Sequence, residues 1–164
     1  MDLHFQQNIP ADFDQDSKVW IYQSSRPFTS TESLEMDRML QDFVSNWKSH
    51  GDDVKGFATL LFEQFIILMA DETASGVSGC STDSSVRLIK SIENKYNVRL
   101  FERQTLAFII KDKVELLPLN QLNYSVENNF INSNTLYFNN TVLTKKDLLQ
   151  NWIIPLNQSW LGKR

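Results

Sequence analysis

The sequence predicts an α+β fold. Three observations carry that expectation: a β-branched and aromatic run at Val19-Trp20-Ile21-Tyr22, paired apolar runs at 57–62 and 65–70, and two segments in which apolar residues recur at helical spacing. With 164 residues, 41% of them hydrophobic and 22% charged, the chain has ordinary globular composition and suits a single domain over 1–164. Its 11 Phe and 4 Trp supply large side chains for a core that needs no metal or disulfide staple.

Residues 1–17 are polar, rich in Asp and Gln, and contain Pro10, which describes an arm that drapes over the domain or frays. Order begins at Lys18. The first strand is bounded by Ser24, Ser25 and Pro27. Thr29 followed by Glu32 matches a capping box, in which hydroxyl and carboxylate satisfy each other's backbone N–H groups. Met36, Met39, Leu40, Phe43 and Trp47 then follow at helical spacing, with Gly51 as the stop. The runs 57–62 and 65–70 read as a hairpin around Glu63-Gln64, a poor turn pair. A second helix spans Ser84 to Tyr96, with Val86, Ile89, Ile92 and Tyr96 inward and Arg87, Lys90, Glu93 and Lys95 outward. Leu106 to Ile110 and Val114 to Leu117 read as strands around Lys111-Asp112-Lys113, closed by Pro118.

The succession over 18–119 is β-α-β-β-α-β. That is the ferredoxin-like split βαβ order, one sheet with two helices on one face. Residues 120–164 form a C-terminal extension: an Asn-rich connector, a strand near Thr135 to Phe138, and a helix that Thr144 and Asp147 cap. Trp152 and Trp160 are expected to press this extension onto the domain, since exposing both is costly.

Composition also excludes partners. A net charge of -4 with no Lys/Arg cluster lacks the footprint of a nucleic-acid or anionic-membrane binder. The amino end has neither a basic n-region nor an apolar h-region, and no apolar run approaches the roughly 18 residues of a span. One cysteine permits no internal disulfide, so a reducing, cytoplasmic location is expected.

The stretch richest in chemistry runs from Gln64 to Tyr96. An apolar strand ends in Asp71-Glu72, and a Ser/Gly-rich loop carries Cys80 up to a helix, whose unpaired N–H groups can hold an anion or lower a thiol's pKa. The first reading is therefore a small-ligand or partner-binding domain using the 71–83 loop, with Asp71, Glu72, Ser78, Gly79, Ser81 and Asp83 facing a small-molecule or anionic ligand. In the ferredoxin-like arrangement His50 and Asp52-Asp53 come to the same end of the sheet. That allows a cysteine-dependent enzyme with Cys80 as nucleophile, His50 as base and Asp71 as orienter. The carboxylates alone suit a hard divalent cation, but no metal site or cofactor is assigned. A non-catalytic homo-oligomerisation module is a third reading, because open sheets often shield an edge by pairing.

Each of these residues has a plain structural role as well. Cys80 fits as a half-buried filler, His50 as a cation at a helix C-terminus, and Thr82, Asp83 and Ser84 as N-cap types. Asp71-Glu72 fits a solvated turn. Arg26 and Arg103 are isolated arginines able to clamp a carboxylate or phosphate, or to form surface ion pairs of small net worth.

The combination Val19-Trp20-Ile21-Tyr22-Gln23-Ser24, Trp47-Lys48-Ser49-His50-Gly51, Met69-Ala70-Asp71-Glu72, Ser78-Gly79-Cys80-Ser81-Thr82-Asp83-Ser84-Ser85 and Trp160-Leu161-Gly162-Lys163-Arg164 resembles a family of bacterial proteins of about this length, sometimes labelled "ABC transporter ATPase". The resemblance covers essentially the whole chain. A P-loop needs Gly-x-x-x-x-Gly-Lys-Ser/Thr, so that backbone N–H groups wrap the phosphates and the lysine reaches the terminal ones. Here the only Gly-Lys is Gly162-Lys163, followed by Arg164, and the Gly76 to Gly79 loop lacks the lysine. The resemblance therefore implies a family identity and no activity.

Overall fold

The seven residues Phe65–Asp71 are all buried, which requires a strand with neighbours on both edges and cover on both faces. The computed structural model, which describes residues 1–74 and 79–163 (backbone only for 79–81 and 163), supplies both. In chain order the elements begin with β1 (Lys18–Gln23), α1 (Ser30–Ser45), the short strands β2 (Lys48–Ser49) and β3 (Asp52–Asp53), β4 (Lys55–Leu61), β5 (Phe65–Asp71) and α2 (Gly79–Tyr96). They continue with β6 (Thr105–Ile110), β7 (Lys113–Pro118), α3 (Leu122–Glu127), β8 (Leu136–Phe138), α4 (Lys145–Asn151) and β9 (Ile153–Pro155). The α+β class holds.

The first sheet has the order β1-β5-β4, with both pairings antiparallel. Ile66 and Leu68 face a cluster made by Met36 and Leu40 of α1 and Ile89, Ile92 and Tyr96 of α2, so both long helices cover one face. On the other face Phe65, Ile67 and Met69 meet Val19, Leu61, Ala107, Phe138, Leu148 and Trp152. The first three long strands thus have the split βαβ order. A single βαββαβ sheet, however, is not what forms. The segment 105–110 joins a second sheet of order β7-β6-β8-β9 instead of pairing with β1. Both edges of β6 are taken: Lys111 and Asp112, both at positive φ, close a two-residue hairpin from β6 to β7, and β8 from the 120–164 segment pairs with the other edge that β1 would need. That segment is consequently half of the second sheet rather than an appendage. Leu106 and Phe108 on the far face are covered by Leu122, Ile131, Leu156 and Leu161.

Residues 1–17 drape. Phe5, Ile9 and Phe13 are buried in the inter-sheet core, and the buried Lys145 ammonium donates to the carbonyls of Pro10 (2.8 Å) and Phe13 (2.7 Å). Burying each of the three apolar side chains is worth roughly 1.5–3 kcal/mol, which offsets part of the entropy of ordering the arm.

The capping box is present: the Thr29 hydroxyl accepts from Glu32 N–H at 3.1 Å, and Glu32 Oε1 accepts from Thr29 N–H at 2.8 Å. The helix does not run on to Gly51, as its spacing predicts. Asn46 ends it, and Trp47 leaves the helix to lie between Phe43, Trp20, Val54 and Ala70. A glycine at position 56 makes room, since a Cβ there would sit 2.6 Å from the Trp47 ring. His50 is therefore in the β2–β3 turn, at φ 52 beside Gly51 at φ 83, and is no helix-terminal cation. The second helix begins at Gly79, so Asp83 is inside it and is not its N-cap. Trp152 is fully buried as expected, whereas Trp160 is 46% exposed.

Candidate functional site

The sequence-selected residues at the end of β5 are engaged in holding the fold. Asp71 Oδ2 accepts from the Asp14 N–H at 3.0 Å, and Oδ1 accepts from the Thr73 N–H and hydroxyl at 2.9 and 2.7 Å, with Lys55 Nζ 3.4 Å away. These bonds, that from Asp14 first, hold the Asp71 carboxyl well below the usual carboxylate range. Asp71 thus ties the N-terminal arm to β5 and shares no hydrogen bond with His50. Glu72 pairs with Lys18 at 2.9 Å. Ser78 and the side chains of Cys80 and Ser81 lie outside the described residues, as does the 75–78 part of the loop. Gly79 opens α2, and Asp83 is exposed on it. Among the described residues no group of three His, Cys, Asp or Glu could hold a metal ion.

The two arginines have different fates. Arg26 makes a bidentate pair with Glu32, at 2.8 and 2.9 Å, and also donates to the Tyr96 carbonyl at 2.7 Å. It therefore joins the start of α1 to the end of α2. The same pair pulls the Glu32 carboxyl down to about 2, with the Thr29 N–H as the next contributor. Arg103, exposed, makes no hydrogen bond or ion pair among the described residues.

Arg103 stands on the rim of a cleft of about 410 Å³ that follows the outer edge of β1. One wall is Val19 to Gln23; the other is formed by Thr105 to Ala107 of β6, Tyr137 and Phe138 of β8, and the loop Asn140 to Leu143. This is the space that a fourth strand of a ferredoxin-like sheet would occupy. The Val19 N–H donates to the Leu143 carbonyl at 3.0 Å, so it points away from β5. Strand alternation then turns the backbone groups of Ile21 and Gln23 the same way. No protein group among the described residues bonds the outward N–H and C=O of Ile21.

A polar chain fixes the closed end of this gap. Gln23 Nε2 donates to the Thr105 carbonyl (3.1 Å), Asn140 Nδ2 donates to Gln23 Oε1 (3.0 Å), and the Trp152 indole donates to Asn140 Oδ1 (2.9 Å). Because each amide is engaged on both sides, the two walls are held at a fixed separation. The mouth is apolar: Phe101, Leu143 and Trp160 are 37%, 70% and 46% exposed and all line it. Burial pushes the Tyr22 hydroxyl up, against the nearby charge of Arg103, and burial likewise raises Tyr137, whose contact with Trp160 opposes the rise. Among the described residues that line it, Arg103 is the only charged one, in a chain of net charge -4. The cleft can therefore accept an apolar body, hydrogen-bond it along one wall and neutralise one negative charge.

Sequence reasoning singled out Arg103 but placed no site around it, because the cleft is assembled from segments as far apart as Val19 and Trp160. The one local signal is Phe101 close to an arginine in a connector. No family model, curated protein or solved structure matches the chain.

Proposed function

We propose that this protein is a binding domain that takes an anionic ligand with an apolar body in the cleft beside β1. The observation that carries the reading is the pairing of an unpartnered arginine with an apolar mouth over an open strand edge. Such a concave, largely apolar site with a few placed polar groups is what small-ligand recognition requires. The seat is thus moved from the 71–83 loop, whose Asp71 is committed to the N-terminal arm. The reading keeps the cytoplasmic location expected from the single cysteine, and the bacterial family resemblance remains part of the proposal.

The test is a thermal-shift screen of apolar carboxylates such as benzoate and phenylacetate, followed by amide chemical-shift mapping. Saturable shifts at Ile21 and the Trp160 indole, lost in Arg103→Ala, are expected. Shifts confined to residues remote from the cleft would sink the reading.

A further inference from the structure

We infer that the cleft receives the carboxy-terminal end of an extended peptide, which adds as a short strand to the free edge of β1 and sets its terminal carboxylate on Arg103. The inference rests on the binding reading above and narrows its ligand.

The open edge is the first argument. Apart from the Val19 N–H, which the Leu143 carbonyl takes, the outward groups of Val19, Ile21 and Gln23 recur every second residue, and a partner that satisfies more than one of them needs donors and acceptors at the same repeat. An extended backbone has that repeat; a compact apolar anion leaves the Ile21 groups to water. Strand addition to an exposed sheet edge is a general mode of peptide capture, with main-chain bonds giving affinity and side-chain pockets giving selectivity.

Length and closure supply the second argument. From Val19 to Gln23 the edge runs about 13 Å, room for about four extended residues at roughly 3.3 Å each, so a tripeptide with its capping acetyl fits it. At the Lys18 end it is stopped by the backbone bonds from Val19 to Leu143 and from Lys145 to Ser17, and at the other end Gln23 is tied to Thr105. A strand passing straight through would break one of these closures. A chain terminus fits between them and leaves through the mouth.

Charge fixes the direction. Arg103 lies at the Gln23 end, two residues before the Thr105 carbonyl that Gln23 grips and two after Phe101, whose ring packs edge-on against Tyr22 at 5.5 Å. Because β1 runs from Lys18 to Gln23, a carboxylate at that end makes the bound segment parallel to β1. Its side chains, alternating across the strand, meet Phe101, Leu143 and Trp160 on the open side.

The experiment titrates the full chain with N-acetylated tripeptides of apolar residues bearing a free carboxylate, read by the Ile21 amide and the Trp160 indole. Saturable shifts at both are expected. Binding should weaken tenfold or more when the carboxylate is converted to an amide, and equally in Arg103→Gln, since charge-assisted bidentate bonds are lost. N-methylation of the last two residues in turn should weaken binding at one position, whose N–H faces β1, and spare the other. Arg103 is exposed and unpartnered, so its variant should keep the native melting temperature. The inference is overturned if no tripeptide shifts Ile21, if acid and amide bind alike, or if both methylations are silent. In any of those cases, cleft binding by benzoate or phenylacetate would leave the broader reading standing, and its absence would remove both.

Discussion

At the scale of single residues, two buried charges explain how a polar N-terminal arm is held. Lys145 is wrapped by carbonyls of Pro10 and Phe13, and Asp71 collects the Asp14 amide and Thr73. Lys145→Met should cost about 3 kcal/mol in urea unfolding, because it strands buried carbonyls, and should open residues 1–13 to proteolysis. Asp71→Asn should cost about 1.5–3 kcal/mol at neutral pH, as expected for hydrogen bonds to a charged group. The sign with pH is definite. A carboxyl whose folded pKa is depressed contributes stability above its unfolded value near 3.9, and loses it as pH falls through the folded value. The penalty of Asp71→Asn should therefore shrink toward zero in strong acid; a constant penalty down to pH 1 would contradict this role. Glu32 behaves the same way over a window from its ordinary 4.5 down to about 2, so Glu32→Gln should flatten part of the acid limb of the stability profile.

Elements show where local chemistry and tertiary contact compete. The β4–β5 turn places Phe62 and Glu63 at φ 54 and φ 57, a left-handed conformation disfavoured for both. It persists because the Phe62 ring packs on Phe5, Phe65, Phe138 and Trp152, while the Glu63 carbonyl accepts from the Phe28 N–H at 2.8 Å. The Lys111-Asp112 turn has similar φ values, and both its residues are exposed, without such packing. Replacing the pair with Asn-Gly should raise stability by about 1 kcal/mol, measured by thermal unfolding, and the same replacement at Phe62-Glu63 should lower it. Gly56→Ala should cost about 1–3 kcal/mol, because the Trp47 ring 2.6 Å from the new Cβ must move.

Across the whole molecule, β5 is the strand paired on both edges with helices on one face and the second sheet on the other, and it should carry the most protected amides in hydrogen exchange. In β1 the pattern should alternate. Trp20 and Tyr22 point their amides into β5 and should exchange slowly, while the Ile21 amide, open to the cleft, should exchange orders of magnitude faster. Equal protection at 20, 21 and 22 would mean that the edge is closed, and the proposed site would go with it.

The sequence by itself determined the elements whose signals are local: the first strand, the capped start of α1, the β4–β5 and β6–β7 hairpins, the Thr144-capped α4, and the sidedness of the two long helices. These follow from hydrogen bonds and periodicities within a few residues. Only the tertiary structure decided that 105–110 leaves the first sheet, that Trp47 packs from outside its helix, that Asp71 secures the arm, and that a cleft opens beside β1. An alternating strand reads the same whichever edge it joins, because its pattern records that a face is buried and not which neighbour buries it. Arg103 is likewise one exposed arginine in the sequence; its meaning comes from Val19 to Gln23 and Tyr137 to Leu143, which folding alone brings to the same gap.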